Sequence, residues 1–343
     1  MMKIVAAAKE RLYHFFSAYV PQIGCSDQAK DKFWSLLDEM TAKVPSKDVI
    51  VVAGDLNGQV GATKDGNQCG FVAGCGTVDA MHAACLLVEK HREKQEPVHI
   101  AFLNLEKAFD RVPLEVIWYA LLHNGVPKEL IEWVRTLYSC PKSRVQAAAG
   151  TSMEFPIFAG VHQGSALSPL LFDVVMDATT RHLQKVVPWT LLYADDVMLT
   201  SEDKGGLERE VQAWCDRLEC FGLRLNVKKT EYLMTDVTEF SSIKVNDIKF
   251  PRTSVFNYMG SAIASDGKLM VEVNSRVSAA WSKWRSFTSV LCDSKMSERM
   301  KSKIYRAVVR PVAMYGAERW PATKEVETRL SAYTTIRLRT CTP

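Results

Sequence analysis

The chain has 343 residues, of which 47% are hydrophobic and 24% are charged, a composition that excludes a disordered or collagen-like protein. No run of about 20 apolar residues occurs, which argues against a membrane span, and a net charge of +4 permits a polyanionic partner without requiring one. The opening segment lacks a signal-peptide core. The nine cysteines form no CxxC pair, so we expect an intracellular protein with reduced thiols and no zinc site.

The first half of the chain alternates between helix and strand patterns. The apolar run DVIVVAGDLNGQV, residues 48–60, predicts a buried strand that ends in a Gly-Asp-x-Asn turn. The Gly- and Thr-rich residues 61–76 predict a linker. The following spacing predicts a helix over 77–93, a strand over 98–105, helices over 114–122 and 128–138, and a hairpin over 144–158.

The second half continues the same alternation. Ser168 as N-cap and Pro169 in the first turn predict a long helix over residues 169–187. The next elements are a strand-turn-strand over 189–199, a helix over 207–221, a strand over 224–234, several short strands and two basic helices. This order predicts an α+β fold, with helices on one face of a small, mostly antiparallel sheet.

Two adjacent carboxylates, Asp195 and Asp196, lie in the otherwise apolar segment LLYADDVMLTS. At about 4 Å they would repel by roughly 4 kcal/mol, and buried charge is costly unless it is paired or binds a metal. The predicted turn places both at one edge of a sheet, where hard oxygen ligands suit Mg²⁺. Two such ions can promote an in-line displacement at phosphorus. By itself, the four-residue motif YADD also fits an ordinary surface turn.

Basic residues are concentrated near the C-terminus, between residues 276 and 310. This segment is either an electrostatic surface for a phosphate backbone or a solvated helix face. Its basic members are Arg276, Lys283, Arg285, Lys295, Arg299, Lys301, Lys303, Arg306 and Arg310. Trp281 and Trp284, three residues apart, either stack on bases or, as we favour, pack in a core.

Four segments in this order resemble motifs of the reverse transcriptases of non-LTR (LINE-type) retrotransposons: AFLNLEKAFDRVP, GVHQGSALSPLLF, LLYADDVML and FGLRLNVKKTEYL. A fifth segment, FNYMGSAIASDG, is similar to the primer-gripping hairpin of that family. The resemblance extends from residue 77 to about residue 320. It implies a right-hand polymerase palm with a helical thumb, and an RNA-directed DNA polymerase that uses two Mg²⁺ ions, an RNA template, a DNA primer and deoxynucleotides.

The resemblance also implies a role for individual residues. Asp195 and Asp196 are implied metal ligands, and Lys229, or alternatively Lys228, is an implied general acid for the leaving pyrophosphate. Phe109 is implied to exclude a ribose 2′-hydroxyl, Gln163 and Gly164 to line the nucleotide and template base, and Tyr193 to contact the primer terminus. Each has an alternative structural interpretation: Phe109 as core, Gln163 as a turn residue and the lysines as a solvated strand end.

Asn104 departs from the family pattern. The family has a third metal-binding aspartate at this position, whereas the amide here is neutral. Asp110 follows too far along the chain to replace that carboxylate. We therefore expect polymerase activity to be lost or reduced by orders of magnitude. The alternatives are a non-catalytic nucleic-acid-binding protein or a non-functional remnant of a mobile element.

The N-terminal segment resembles part of an AP-endonuclease-like domain, in which Asp55 and Asn57 match a Gly-Asp-x-Asn catalytic pair. Its other catalytic segments are missing, so we expect no nuclease activity. The predicted organisation is an endonuclease-like fragment over 1–65, a linker and fingers remnant over 66–97, the palm over 98–240, and the thumb with basic helices over 241–343. This describes an internally deleted copy with its fingers largely missing.

Overall fold

The structure is a computed structural model. It describes residues 2–8, 11–19, 49–55, 67–70, 75–139, 141–147, 150–165, 167–235, 242–246, 248–293 and 295–331, with isolated positions at 35, 39, 42 and 43. Three of the strands form an N-terminal sheet in which β1 pairs antiparallel with β2 and β2 pairs parallel with β3: β1 Met2–Ala8, β2 Arg11–Tyr19 and β3 Val49–Asp55. The predicted strand over 48–60 thus corresponds to β3, and its residues beyond 55 lie outside the described part.

A five-stranded sheet forms the centre of the fold. Its strands are β4 His99–Asn104, β9 Thr190–Tyr193, β10 Asp196–Ser201, β11 Glu231–Met234 and β14 Arg252–Thr253. They lie in the order β14-β11-β4-β10-β9, and every pair is antiparallel except β11 with β14. Smaller two-stranded units complete the β-structure: β5 Lys142–Ser143 with β8 Phe155–Pro156, β6 Gln146–Ala147 with β7 Gly150–Thr151, β12 Ile243–Val245 with β13 Ile248–Phe250, and β15 Val255–Tyr258 with β16 Ser261–Ala264.

The helices follow the predicted order closely. They are α1 Thr77–Lys94, α2 Ala108–Arg111, α3 Leu114–His123, α4 Lys128–Leu137, α5 Leu167–Thr180, α6 Lys204–Cys220, α7 Leu269–Ser286, α8 Thr288–Leu291, α9 Glu298–Ile304 and α10 Arg310–Ala313, with a π-helical turn at Tyr305–Val309 and 3₁₀ turns at Arg181–Leu183 and Ala317–Arg319.

Helices α3, α5 and α6 pack on one face of the central sheet, as the sequence predicts. The face consists of alternate residues such as Leu103 on β4 and Leu199 on β10, which join one core with Ile117, Phe172 and Trp214. Side chains alternate across a strand, so this pattern fixes which residues face the helices. The predicted α+β palm architecture is confirmed.

The opposite face of the sheet is covered as well. Phe102 and Met198 belong to a second core, which includes Met81 of α1 and Tyr258 and Ile263 of the β15–β16 hairpin. Strand β4 is therefore buried on both faces, which explains why its sequence HIAFLN is apolar almost throughout. The sheet that positions the residues at its edge is thus packed on both faces.

The C-terminal helices have a separate core. Trp284 is 7% exposed and packs with Val277 and Val309 in this cluster. Its ring centroid lies 5.5 Å from that of Trp281 in a T-shaped arrangement. The core interpretation of the tryptophan pair is confirmed for Trp284. No helix in the described part of the chain is long and apolar enough to cross a membrane.

Three local predictions are wrong. The helix predicted to reach residue 187 ends at Thr180 and is followed by a 3₁₀ turn at Arg181–Leu183; the β-branched Thr179 and Thr180, whose hydroxyls donate to backbone carbonyls one turn back, weaken its last turn. Ser168 lies inside α5 and is not its N-cap; its hydroxyl donates to the His162 carbonyl at 2.5 Å. The strand predicted from residue 224 begins only at Glu231.

Candidate active site

The two carboxylates lie at the tip of the β9–β10 hairpin. Strand β9 ends at Tyr193 and β10 begins at Asp196, so Ala194 and Asp195 form the turn. Ala194 has a φ of 53°, in the left-handed region that costs an L-residue roughly 1–2 kcal/mol. A hairpin this tight puts Asp195 and Asp196 at one sheet edge, as the sequence predicts.

Asn104 is the neighbour of Asp196 on the adjacent strand. The two residues are register partners in the β4–β10 ladder. The Asn104 amide Nδ2 donates to Asp196 Oδ1 at 2.9 Å. At the position where the resemblance implies a third carboxylate, the chain therefore offers a hydrogen-bond donor that already occupies one carboxylate oxygen.

Burial dominates the electrostatics of the pair. It raises the pKa of Asp195, and the nearby Asp196 charge raises it further, while Lys229 acts in the opposite direction. Burial also raises the pKa of Asp196, against the Asn104 hydrogen bond and the Lys229 charge, which lower it. The two carboxylates are thus costly to ionise in this buried turn, and a bound cation would stabilise their ionised forms.

Lys228 and Lys229 lie in a turn before β11, not on the strand where the sequence placed them. The Asn226 carbonyl accepts from Lys229 N at 3.0 Å and Thr230 N at 2.9 Å, and Asn226 N donates to the Asn104 carbonyl at 2.7 Å. This network holds the lysine turn beside β4. Both lysine side chains are exposed, and Lys229 acts on both carboxylates.

A cavity of about 330 Å³ opens beside these groups, between the sheet edge and the β15–β16 hairpin. It brings together Asn104, Asp196, Lys228 and Lys229 with side chains that sequence reasoning did not single out. These are Phe102, Leu103, Val197, Glu231, Phe256, Asn257, Tyr258 and Met259, with Gly260. Only the resemblance of the hairpin segment to a primer-gripping element could have indicated the hairpin members.

Phe109 and Gln163 do not line this cavity, and their contacts are with α2, α5 and the loop before α5. The Phe109 ring stacks on the Phe172 ring, with centroids 4.4 Å apart. The backbone carbonyl of Phe109 accepts a hydrogen bond from Val161 N at 2.7 Å. Gln163 is exposed, and its Nε2 donates to Asp110 Oδ1 at 2.7 Å. Asp110 is thus bound to the loop before α5.

Gly164 and Tyr193 differ in their surroundings. Gly164 has a φ of 82° and open space around an added Cβ, so its backbone conformation, and not crowding by the protein, favours glycine. Tyr193 is half-buried at the end of β9, next to the second core. Burial raises the pKa of its hydroxyl, and nearby Tyr315 adds to the effect.

The donor set fits one divalent cation better than two. Asp195 and Asp196 are hard oxygen ligands of the type that Mg²⁺ accepts. A bridging third carboxylate is missing, because the amide group of Asn104 is neutral and donates to Asp196. Across the described segments, no group of three or more His, Cys, Asp or Glu side chains could hold a metal ion. The side chain of Asp55 and all of Asn57 lie outside the described residues, so the endonuclease pair remains a prediction.

The basic C-terminal segment is divided by the fold. Arg276 does not belong to an exposed stripe, because its Nε pairs with the buried Glu272 at 3.1 Å and its side chain is only 14% exposed. Lys301 pairs with Glu298 at 3.0 Å. The remaining basic residues are exposed and available to a polyanion: Lys283, Arg285, Lys295, Arg299, Lys303, Arg306 and Arg310.

A known protein family matches the part of the chain that contains the central sheet and the β9–β10 hairpin. Residues 52–263 match the family described as "Reverse transcriptase (RNA-dependent DNA polymerase)". This range includes the central sheet, the Asp195–Asp196 turn and the lysine turn. The chain belongs to the reverse transcriptase family. The match begins inside the segment that the sequence assigned to an endonuclease-like fragment.

Curated relatives come from retrotransposable elements. The chain is 28% identical over 224 residues to a Pol polyprotein of the type-2 element R2DM of Drosophila melanogaster, covering 60% of this chain and 21% of the relative. It is 27% identical over 241 residues to a Pol polyprotein of element R2 of Nasonia vitripennis, covering 63% and 24%. The chain thus spans about a quarter of these relatives. The non-LTR resemblance is confirmed at the level of family.

Among solved structures, the fold is similar to telomerase from Candida tropicalis in complex with a fragment of telomeric RNA. The identity is 13%, the match covers 76% of this chain and 43% of that chain, and the TM-score is 0.42.

Proposed function

We propose that this chain is the reverse transcriptase domain of a non-LTR retrotransposable element, with an RNA-directed DNA polymerase site that is impaired by Asn104. The observation that carries the proposal is the register pairing of Asp196 with position 104, which puts two of the three residues proposed as metal-ligand positions side by side, next to Asp195 in the adjoining turn. One of those three positions holds an amide that donates into the site.

The proposed substrates are deoxynucleotides, with an RNA template and a DNA primer. Asp195 and Asp196 would hold Mg²⁺, which would supply positive charge to the transferred phosphate. Lys229 is exposed and electrostatically coupled to both carboxylates, which suits a donor of a proton to the leaving pyrophosphate.

Other residues would orient the nucleotide. Gln163 lies on the loop before α5, where its bond to Asp110 fixes the loop against α2. Phe109 projects from the same short helix and is held by its stack on Phe172. A ring fixed in this way can exclude a 2′-hydroxyl, and we propose that selectivity. Tyr193 would contact the primer terminus next to the turn.

The impairment follows from charge. A site for two divalent cations needs anionic ligands between them, and Asn104 removes one unit of negative charge. Loss of one preorganised electrostatic group in an active site typically costs about 10²–10³ in kcat. The proposed place of action is intracellular, in cytoplasm or nucleus.

The test is magnesium-dependent nucleotide incorporation on a primed RNA template, comparing the natural chain with Asn104→Asp. We expect Asn104→Asp to extend the primer at least about 100-fold faster. Equal rates would refute the impairment. If neither form extends the primer but both still bind an RNA–DNA hybrid in a salt-dependent way, the polymerase hypothesis is refuted. The non-catalytic nucleic-acid-binding alternative would then be favoured.

A further inference from the structure

The short segment Asn67–Gly70 lies against the hairpin that carries the carboxylates. Leu192 N donates to the Asn67 carbonyl and Cys69 N donates to the Leu192 carbonyl, both at 2.8 Å. Gln68 forms an isolated parallel bridge with Leu192. Residues that the sequence assigned to a linker therefore extend the central sheet beyond β9, directly beside the catalytic turn.

The Gln68 side chain reaches the turn itself. Its Oε1 accepts from Ala194 N at 3.2 Å and from Gly70 N at 2.8 Å. Its Nε2 donates to Asp173 Oδ1 on α5 at 3.3 Å. One amide group thus connects the turn, the added segment and the helix below them.

The Ala194 amide is a sensitive point of the hairpin. Ala194 precedes both carboxylates and has a φ of 53°, a conformation that persists only when its surroundings hold it. Ala194 is only 6% exposed, so its N–H needs an acceptor within the protein, and Gln68 supplies one. A turn without this bond is free to relax toward less strained backbone, which would re-aim Asp195 and Asp196.

Gly70 shows how closely the segment approaches. A Cβ at Gly70 would lie 2.4 Å from Ala194 N and 3.1 Å from Gln68 Oε1. Contacts under 3.0 Å with backbone atoms force a shift, so only glycine fits between the segment and the turn. The close approach of this segment to the turn therefore depends on two residues of the sequence, Gln68 and Gly70.

We propose that Gln68 is a positioning residue for the catalytic turn, which holds Ala194 so that Asp195 and Asp196 are aimed at the metal and nucleotide. The proposal rests on the proposed function for its purpose, and on the hydrogen bonds alone for its geometry. These two parts are tested separately.

The geometric part is tested by hydrogen exchange at the Ala194 amide. Gln68→Leu removes the acceptor, and we expect exchange to accelerate about 2- to 10-fold, the range for one net hydrogen bond. The matched control is Asn67→Ala, which removes an amide that bonds to the Lys185 carbonyl at 2.7 Å on the far side of the segment. Equal acceleration by the control, or none by Gln68→Leu, would overturn the proposal.

A conservative substitution provides a rescue test. Gln68→Glu keeps an acceptor for the Ala194 N–H, and because burial raises the pKa of Asp173 to about 8, the neutral Asp173 carboxyl can donate to the new carboxylate below that pH. Below about pH 8 we therefore expect hydrogen exchange at Ala194 in Gln68→Glu to stay within about twofold of the natural chain. Exchange in Gln68→Glu as fast as in Gln68→Leu would overturn the proposal.

The functional part uses the Asn104→Asp protein. There, Gln68→Leu should lower kcat at least about 10-fold and leave the KM for deoxynucleotide within about twofold, because the loss is in alignment and not in nucleotide binding. Unchanged kcat with accelerated Ala194 exchange would overturn the positioning role. If Asn104→Asp is itself inactive, the proposed function has failed, and the exchange experiments still decide the geometry.

Discussion

Replacing Asn104 by aspartate is expected to destabilise the metal-free protein and to make its stability depend on magnesium. In the natural chain the Asn104 amide donates to Asp196 Oδ1 at 2.9 Å. The substitution removes this bond and places a third carboxylate beside two whose pKa values burial already raises. Without a cation, the same change that should restore catalysis weakens the fold.

The size of the effect follows from the contact distance. Two unit charges about 4 Å apart at an effective dielectric near 20 repel by about 4 kcal/mol, and the lost hydrogen bond contributes about 1 kcal/mol. Rotation of the new side chain and proton uptake offset part of this. We expect the free energy of unfolding to fall by about 2–4 kcal/mol. Magnesium at about 100 times its dissociation constant should return about 2.7 kcal/mol through linkage.

The assay is denaturant unfolding of the natural chain and Asn104→Asp, each with a chelator and with magnesium. A matched control is Asn124→Asp, the same chemical change at a residue that bonds to Arg181 and the Ala120 carbonyl. This control should show no added response to magnesium. Equal midpoints for the natural chain and Asn104→Asp in chelator, or an equal gain from magnesium, would refute the electrostatic reasoning.

Three further predictions concern other parts of the molecule. Burial raises the pKa of Asp173 from 3.8 to about 8. Between about pH 4 and pH 8 the Asp173 carboxyl is therefore ionised in the unfolded chain but still protonated in the folded protein. The free energy of unfolding falls as the pH rises through this window. Asp173→Asn should therefore be more stable than the natural chain at pH 8, by about 5 kcal/mol at most, and equal to it near pH 4; a constant difference in unfolding free energy would contradict this. Lys283→Ala/Arg285→Ala should reduce the slope of log binding constant against log salt concentration, measured with an RNA–DNA hybrid, by about two units. Lys249 is exposed and lies outside the basic C-terminal segment, so Lys249→Ala should change this slope little. Equal slopes for the two variants would count against binding by the basic C-terminal segment. In the Asn104→Asp protein, Phe109→Val should increase ribonucleotide relative to deoxynucleotide incorporation in primer extension; an unchanged ratio would remove Phe109 from nucleotide selection.

The elements that the sequence predicts well depend on local patterns. The β9–β10 hairpin follows from an apolar run interrupted by Ala194-Asp195, and β4 from the largely apolar segment HIAFLN. Helix α3 begins at the predicted residue and ends one residue later, because its apolar spacing and Pro113 define it locally. The placement of Asp196 beside position 104 was predicted through the family resemblance, and the ladder register accounts for it physically.

The features that sequence reasoning missed depend on contacts between distant segments. Gln68 lies among glycines and polar residues that are typical of a linker, and its contact with Ala194 spans 126 positions. In the sequence Arg276 resembles its basic neighbours, but in the structure it pairs with the buried Glu272, one helical turn away, and is itself largely buried.

The most direct test of the central claim is the number of divalent cations that the site holds. Manganese, a spectroscopic substitute for magnesium, can be titrated onto a complex of the protein with an RNA template, a dideoxy-terminated DNA primer and the matching deoxynucleotide. If Asn104 deprives the site of a bridging ligand, Asn104→Asp should bind one more ion than the natural chain under the same conditions. Equal numbers of bound ions in the two proteins would contradict the account.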